Sequence, residues 1–143
     1  MFTWNDPEAR AEASHFMASK RLHLLLTCEH AGQRIPREYA ALFKGAGTLL
    51  ASHRGWDPGA LEITRSLARR LRVPFHHVVW SRLLVESNRA PSNSRIWSSY
   101  TSALSPEERR RILDRYWWPH RRTVENEVRA HLDRGETVLH LAI

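Results

Sequence analysis

A single cysteine, Cys28, stands in a chain of 143 residues, so no internal disulfide can form. A reducing, cytoplasmic setting is the plain expectation. Lysine is nearly as scarce: apart from Lys20 and Lys44, every basic side chain is arginine. No stretch approaches the roughly 18–20 consecutive apolar residues of a membrane-spanning helix. Residues 1–20 carry acidic groups and lack the apolar segment of a secretory signal. Internal repeats, heptads and low-complexity tracts are not seen, which sets aside solenoids and coiled coils.

What is present suits one soluble domain. Hydrophobic residues make up 42% and charged residues 26% of the chain, ordinary values for a globular protein. The length allows one hydrophobic core and not two. The reading is a polar lead-in over residues 1–20, with a short helix around Pro7–Met17, and one domain over 21–143. The net charge of +7 is spread thinly. Its only tight run, Arg109 to Arg111, follows Glu107 and Glu108. A nucleic-acid binder needs a concentrated basic face, so the pattern weighs against nucleic acid, and a small anionic substrate fits the charge equally well.

Along the chain, Leu22 to Cys28 is too continuously apolar for a half-exposed strand and reads as a strand buried on both faces. Pro36 opens a helix over Arg37–Phe43, closed by Gly45 and Gly47, and Thr48–Ser52 reads as a short strand. Asp57-Pro58-Gly59 reads as a helix start, with Asp57 as N-cap. In the helix that follows, Ala60, Ile63, Leu67 and Leu71 form the apolar face. Phe75–Trp80 is β-rich, with Leu83–Val85 extending it or opening the next segment. Residues 88–105 form a long loop. Ser105 caps a last helix, with Glu108 at the capping-box position. That helix runs toward Asp133 with a kink at Pro119, and Thr137–Ala142 is a final strand. The alternation predicts an α/β fold with a mainly parallel sheet and flanking helices.

In such sheets ligands bind beyond the carboxyl ends of the strands. That rule singles out Cys28-Glu29-His30-Ala31-Gly32, His53-Arg54-Gly55-Trp56-Asp57, and Ser81-Arg82 through Asn88-Arg89. Histidine and aspartate are ordinary zinc ligands, and arginine can grip a carboxylate through its planar fork. Blander explanations stand beside each: a structural histidine, an N-cap aspartate, a solvated arginine. Cys28 reads as a small buried residue rather than a nucleophile.

These blocks together resemble the N-formylglutamate amidohydrolase family. Cys28-Glu29-His30-Ala31-Gly32 with Ile35-Pro36 is similar to that family's opening motif. His53 through Ala60 is similar to its second block, and Ser81 through Val85 with Asn88-Arg89 to its third. Pro119-His120 and Val138-Leu139-His140 resemble weaker blocks in the same order. The resemblance covers about residues 22–143. It implies a zinc-exopeptidase-like (phosphorylase/hydrolase-like) fold and hydrolysis of an N-acyl amino acid, N-formyl-L-glutamate to formate and L-glutamate, in histidine breakdown. It implies Zn2+, or another divalent metal, held by His30 and Asp57. Glu29, His53 and His120 are implied as proton-handling groups, and Arg82, Asn88 and Arg89 as a clamp on the substrate carboxylate.

Family members continue past the strand matching Val138–His140 into a His-Ser-Phe-Thr-Pro-like segment that supplies a further metal ligand. The sequence here ends at Ile143, so the expected fold is incomplete at its C-terminus, the metal weakly held and the last strand left with an open edge. Three alternatives follow: a homo-oligomer in which a partner supplies the missing donor, a non-catalytic carboxylate-binding remnant, and a basic nucleic-acid-binding protein.

Overall fold

Three parallel strands in the order β2-β1-β3 organise the molecule. The computed structural model describes residues 21–143; the helix expected around Pro7–Met17 lies outside them. Strand β1 (Leu22–Cys28) is central, with β2 (Phe75–His77) on one side and β3 (Thr137–Ala142) on the other. The expected fold class, α/β with a parallel sheet and flanking helices, is therefore what the chain adopts.

The continuous apolar run of β1 follows from its position. Successive side chains point to opposite faces of a strand, and both faces are covered: Leu25, Leu26, Thr27 and Cys28 have no exposed surface. Cys28 packs with Ala60 and Leu61 of helix α2 (Ala60–Leu71). On the other face, His23 reaches Glu127 of helix α4 (Trp118–Asp133). The sheet thus lies between two helices. Strand β3 is less protected: Leu139 and Leu141 are 46% and 40% exposed. Among the described residues its outer edge has no partner strand. No helix among them is long and apolar enough to cross a membrane.

Several local expectations are corrected. Residues 48–52 form no strand; Gly47–Leu50 is a single α-helical turn, α1. Its backbone bonds close locally, Leu50 N to Ala46 O at 2.8 Å, so the apolar pair Leu49-Leu50 is folded into a turn. Asp57 is not an N-cap. The cap of α2 is Gly59, at φ 89°, a left-handed conformation that glycine adopts without steric cost. The buried face of α2 is Ala60, Leu61, Thr64 and Ala68, whereas Ile63 and Leu71 are exposed. The face is rotated because Thr64 counts as apolar once its hydroxyl is satisfied by the Ala60 carbonyl at 2.8 Å. Strand β2 stops at His77, and Leu83–Val85 lies in a turn-rich segment instead of a strand.

The long connection between β2 and α4 and the 3-10 helix Arg37–Phe43 build a second core. Tyr39, Phe43, Leu84, Val85, Ile96, Ile112 and Trp117 pack together away from the sheet. Helix α3 (Pro106–Ile112) runs into a π-helical segment, Leu113–Trp117, and then into α4, with Pro119 in its first turn. The expected kink at Pro119 is expressed one turn earlier. Proline has no N–H to give and its ring crowds the carbonyl four residues back; widening that turn accommodates both. The wide turn also buries Trp117, whose Nε1 donates to the Arg89 carbonyl at 3.1 Å.

Ser105 caps α3 as expected, its hydroxyl accepting from the Glu108 N–H at 3.2 Å. Glu108 does not complete the box; its carboxylate takes the Tyr39 hydroxyl at 3.2 Å and the Arg111 guanidinium. Ser105→Ala should therefore lose one cap and no more, about 1 kcal/mol of unfolding free energy. Urea denaturation followed by circular dichroism checks this; a loss beyond about 2 kcal/mol would mean that Ser105 does more than cap.

Candidate active site

The site forms where three connections meet beyond the C-terminal end of β1. Backbone bonds stitch them together: Asp57 N to His30 O at 3.1 Å, Arg82 N to Gly55 O at 3.1 Å, and Arg34 N to Val79 O at 3.0 Å. Ser81, fully buried, adds its hydroxyl to the Gly55 carbonyl at 2.8 Å. Residues far apart in sequence are thus fixed by main-chain geometry before any side chain is considered.

His30 is the centre, and it is buried. Its Nδ1 lies 2.9 Å from Asp57 Oδ2 and its Nε2 2.5 Å from Glu86 Oε1. Arg82 closes the group from outside, donating to Glu86 Oε2 at 3.0 Å and to Asp57 Oδ1 at 3.3 Å. The Asn88 N–H donates to Glu86 Oε1 at 3.1 Å. Burial alone would push the Glu86 pKa up, but His30, the Asn88 N–H and the Arg82 charge outweigh it and hold Glu86 at about 2. Burial also opposes charge on His30. The hydrogen bond and charge of Glu86, with help from Asp57, overcome both burial and Arg82, and the His30 pKa is raised.

A second pair lies next door. His120 Nε2 is 3.2 Å from Glu29 Oε1, and both side chains are largely enclosed. Burial raises the Glu29 pKa, but the neighbouring His120 and Thr27 more than compensate and the net shift is downward. Its other oxygen, Oε2, is buried without a hydrogen-bond partner, as is the Trp56 indole nitrogen. Buried orphan acceptors are uncommon and call for an explanation. His77 and His120 line a hollow with Phe75, His76, Pro119 and Thr123. Cys28 is enclosed, and burial, with Glu29 and Asp57 contributing, raises its thiol pKa, the opposite of an activated nucleophile.

Of the residues singled out from the sequence, the structure joins His30, Asp57 and Arg82 in one cluster and pairs Glu29 with His120. Arg82 is occupied by two carboxylates of the chain itself. Asn88 is exposed and contributes its backbone N–H, and Arg89 is half-buried, with its carbonyl on Trp117. His53 is exposed and bonds to none of the others. Glu86 is the central residue to which motif reading gave no role, although an acid before Asn88 is in keeping with the family pattern. The available signal was an acid four positions after Arg82 and two before Asn88, the offsets across which it accepts both hydrogen bonds.

The family model described as N-formylglutamate amidohydrolase matches residues 22–143. The structure is similar to the crystal structure of gene product Atu2144 from Agrobacterium tumefaciens, with a TM-score of 0.77 and 27% sequence identity. The similarity covers 88% of this chain and 53% of that one, so the chain spans about half the length of that neighbour. No curated protein sequence matches the chain significantly.

Proposed function

We propose, for a chain that belongs to the N-formylglutamate amidohydrolase family, metal-dependent hydrolysis of an N-acyl amino acid, with N-formyl-L-glutamate as the first substrate to test. The observation that carries this reading is the placement of His30 between two carboxylates. A neutral imidazole donates one hydrogen bond only. One of its two nitrogens would then face a carboxylate with a lone pair, an arrangement relieved by a proton or by a cation. Two ligands bound tetrahedrally at about 2.0–2.2 Å to one zinc sit about 3.3–3.6 Å apart, so His30 Nδ1 and Asp57 Oδ2, now 2.9 Å apart, would open by about half an ångström to share it. His30 and Asp57 would hold the ion, and Glu86 would orient the ring through Nε2–H, as carboxylates do behind metal-bound histidines.

When bound, such an ion acidifies a water and polarises an acyl carbonyl. The chain's own groups supply the rest. Arg82 is a positioning residue that keeps Asp57 and Glu86 in place. Glu29, with Oε2 unpartnered and Oε1 held by His120, would take a proton, and His120 would steady it. Arg89 makes no ion pair among the described residues and sits beside exposed Asn88, which leaves both to receive a substrate carboxylate.

Formate release from N-formyl-L-glutamate tests this. Turnover should vanish on chelation and return with zinc. Glu29→Gln should lower kcat by roughly 10²–10⁴-fold, the range for loss of a general base, and His30→Ala should abolish the zinc response. Failure of the zinc-supplemented protein to release formate at high concentration would sink the reading. His30 and Asp57 are two donors where a catalytic zinc takes three, which favours one second reading, a carboxylate-binding domain without turnover. Calorimetric binding of N-formylglutamate with no formate produced would identify it.

A further inference from the structure

A second group of nitrogen and oxygen donors lies at the other end of the sheet. His23 enters from β1, and Glu127 and His131, one turn apart, enter from α4. One donor atom from each falls within 4.8 Å of the others, and all three residues are half-buried. His23 lies five strand positions before Cys28, where β1 ends, roughly 16 Å at about 3.3 Å per residue, and His30 lies beyond that end, so the group is separate from the site around His30. We propose that His23, Glu127 and His131 form a site for a divalent transition-metal ion of the zinc class, clamping β1 to α4. The proposal does not depend on the hydrolase reading.

Donor chemistry and supporting contacts both favour it. Two imidazoles and a carboxylate suit zinc, nickel or copper. Metal-binding side chains are ordinarily steadied by outer partners, and each flank of this group has one. Glu127 Oε1 is 2.9 Å from His23 Nε2, while its other oxygen is held by His76 Nε2 at 2.5 Å. His131 Nδ1 is paired with the Glu136 carboxylate, and Arg134 lies on that same edge of the ring, 2.7 Å from Nδ1. Nε2 of His131 makes no hydrogen bond among the described residues, so its lone pair is the one left to ligate. The His23 and His131 rings stack with centroids 3.3 Å apart. Closing both onto an ion would turn them out of that stack.

The test is zinc uptake by the chelator-treated full chain, measured by equilibrium dialysis and elemental analysis, with cobalt absorption in parallel. Wild type should bind one zinc that His131→Asn loses, with at least a tenfold fall in affinity, while His30→Ala retains it. His131→Cys should keep the site and add a thiolate-to-cobalt charge-transfer band. That variant decides the matter if His131→Asn fails to fold. Equal zinc stoichiometry and affinity in wild type and His131→Asn, or a cobalt complex of His131→Cys without a thiolate band, would overturn the proposal. Loss of zinc from the His30 site alone would appear as an equivalent sensitive to His30→Ala and indifferent to His131, so the two sites fail separately.

Discussion

Glu86→Leu should lower the unfolding free energy of the chelator-treated protein by about 3 kcal/mol, near the bottom of the range for breaking a buried ion pair. The carboxylate serves three donors at once: His30 Nε2, the Arg82 guanidinium and the Asn88 N–H. Leucine leaves His30 Nε2 and the Asn88 N–H without this acceptor and Arg82 with Asp57 alone, and His30 is buried, where an unpaired donor is costly. The expectation sits at the lower end because Arg82 is 30% exposed and can rehydrate. Glu86→Gln should lose about half as much, since its amide oxygen still accepts from His30 while its NH2 faces Arg82, donor against donor. The pH dependence has a definite sign. The folded pKa of about 2 lies below the ordinary 4.5, so the stability from ionised Glu86 is fully present above 4.5. It is lost as pH falls toward 2, where the folded state also takes up the proton. Urea titrations from pH 6 to pH 2 should show a steeper acid loss in wild type than in Glu86→Leu. Parallel acid limbs, or a destabilisation below about 1 kcal/mol, would mean that the cluster does not hold the site together.

The sheet was readable because its strands carry their burial in their composition. Leu22–Cys28 and Thr137–Ala142 have the observed bounds, and the parallel order follows from the helices between them. What misled were residues whose local preference and tertiary use differ. Asp57-Pro58-Gly59 carries every mark of a capped helix start, yet the Asp57 carboxylate is drawn away to His30 and Arg82 and Gly59 takes over the cap. Leu49-Leu50 has the composition of a strand and folds as a helical turn. Ile63 and Leu71 fit the apolar period of α2 and remain exposed, because the helix is rolled toward Thr64 and Ala68.

In the site, His30 and Asp57 could be singled out because each stands beyond a strand or before a helix, where ligands bind in open sheets. The contact that unites them is a tertiary one, and so is the role of Glu86. No periodicity distinguishes a carboxylate that turns inward from one that faces solvent. The same holds for Arg82. As a sequence feature it is an arginine suited to gripping a substrate; in the structure its charge is spent on Asp57 and Glu86. That occupation makes Arg82 a test of site integrity more than of specificity.

Gly55→Ala should be among the most damaging single changes to the molecule, costing about 3 kcal/mol, the upper part of the range for forced overpacking. A methyl group at this position would lie 2.2 Å from the Leu50 carbonyl oxygen and 2.7 Å from the Leu50 Cα. Both are backbone atoms, so no side-chain rotation relieves the clash. Nor can Gly55 retreat. Its N–H donates to the Ser52 carbonyl at 2.8 Å, and its own carbonyl receives the Arg82 N–H and the Ser81 hydroxyl. Any displacement is transmitted to Asp57, two residues on, and to Arg82, so the geometry around His30 degrades together with stability. Gly47→Ala is the matched control. It lies in helix α1 with nothing within 4 Å of the added methyl, and alanine there should be neutral or stabilising by about 0.5–1 kcal/mol. Urea unfolding of the two variants, with zinc affinity as a second readout, separates the cases. If both unfold at the same denaturant concentration as wild type, the loop around Gly55 is free to shift, and it cannot be what holds Asp57 against His30.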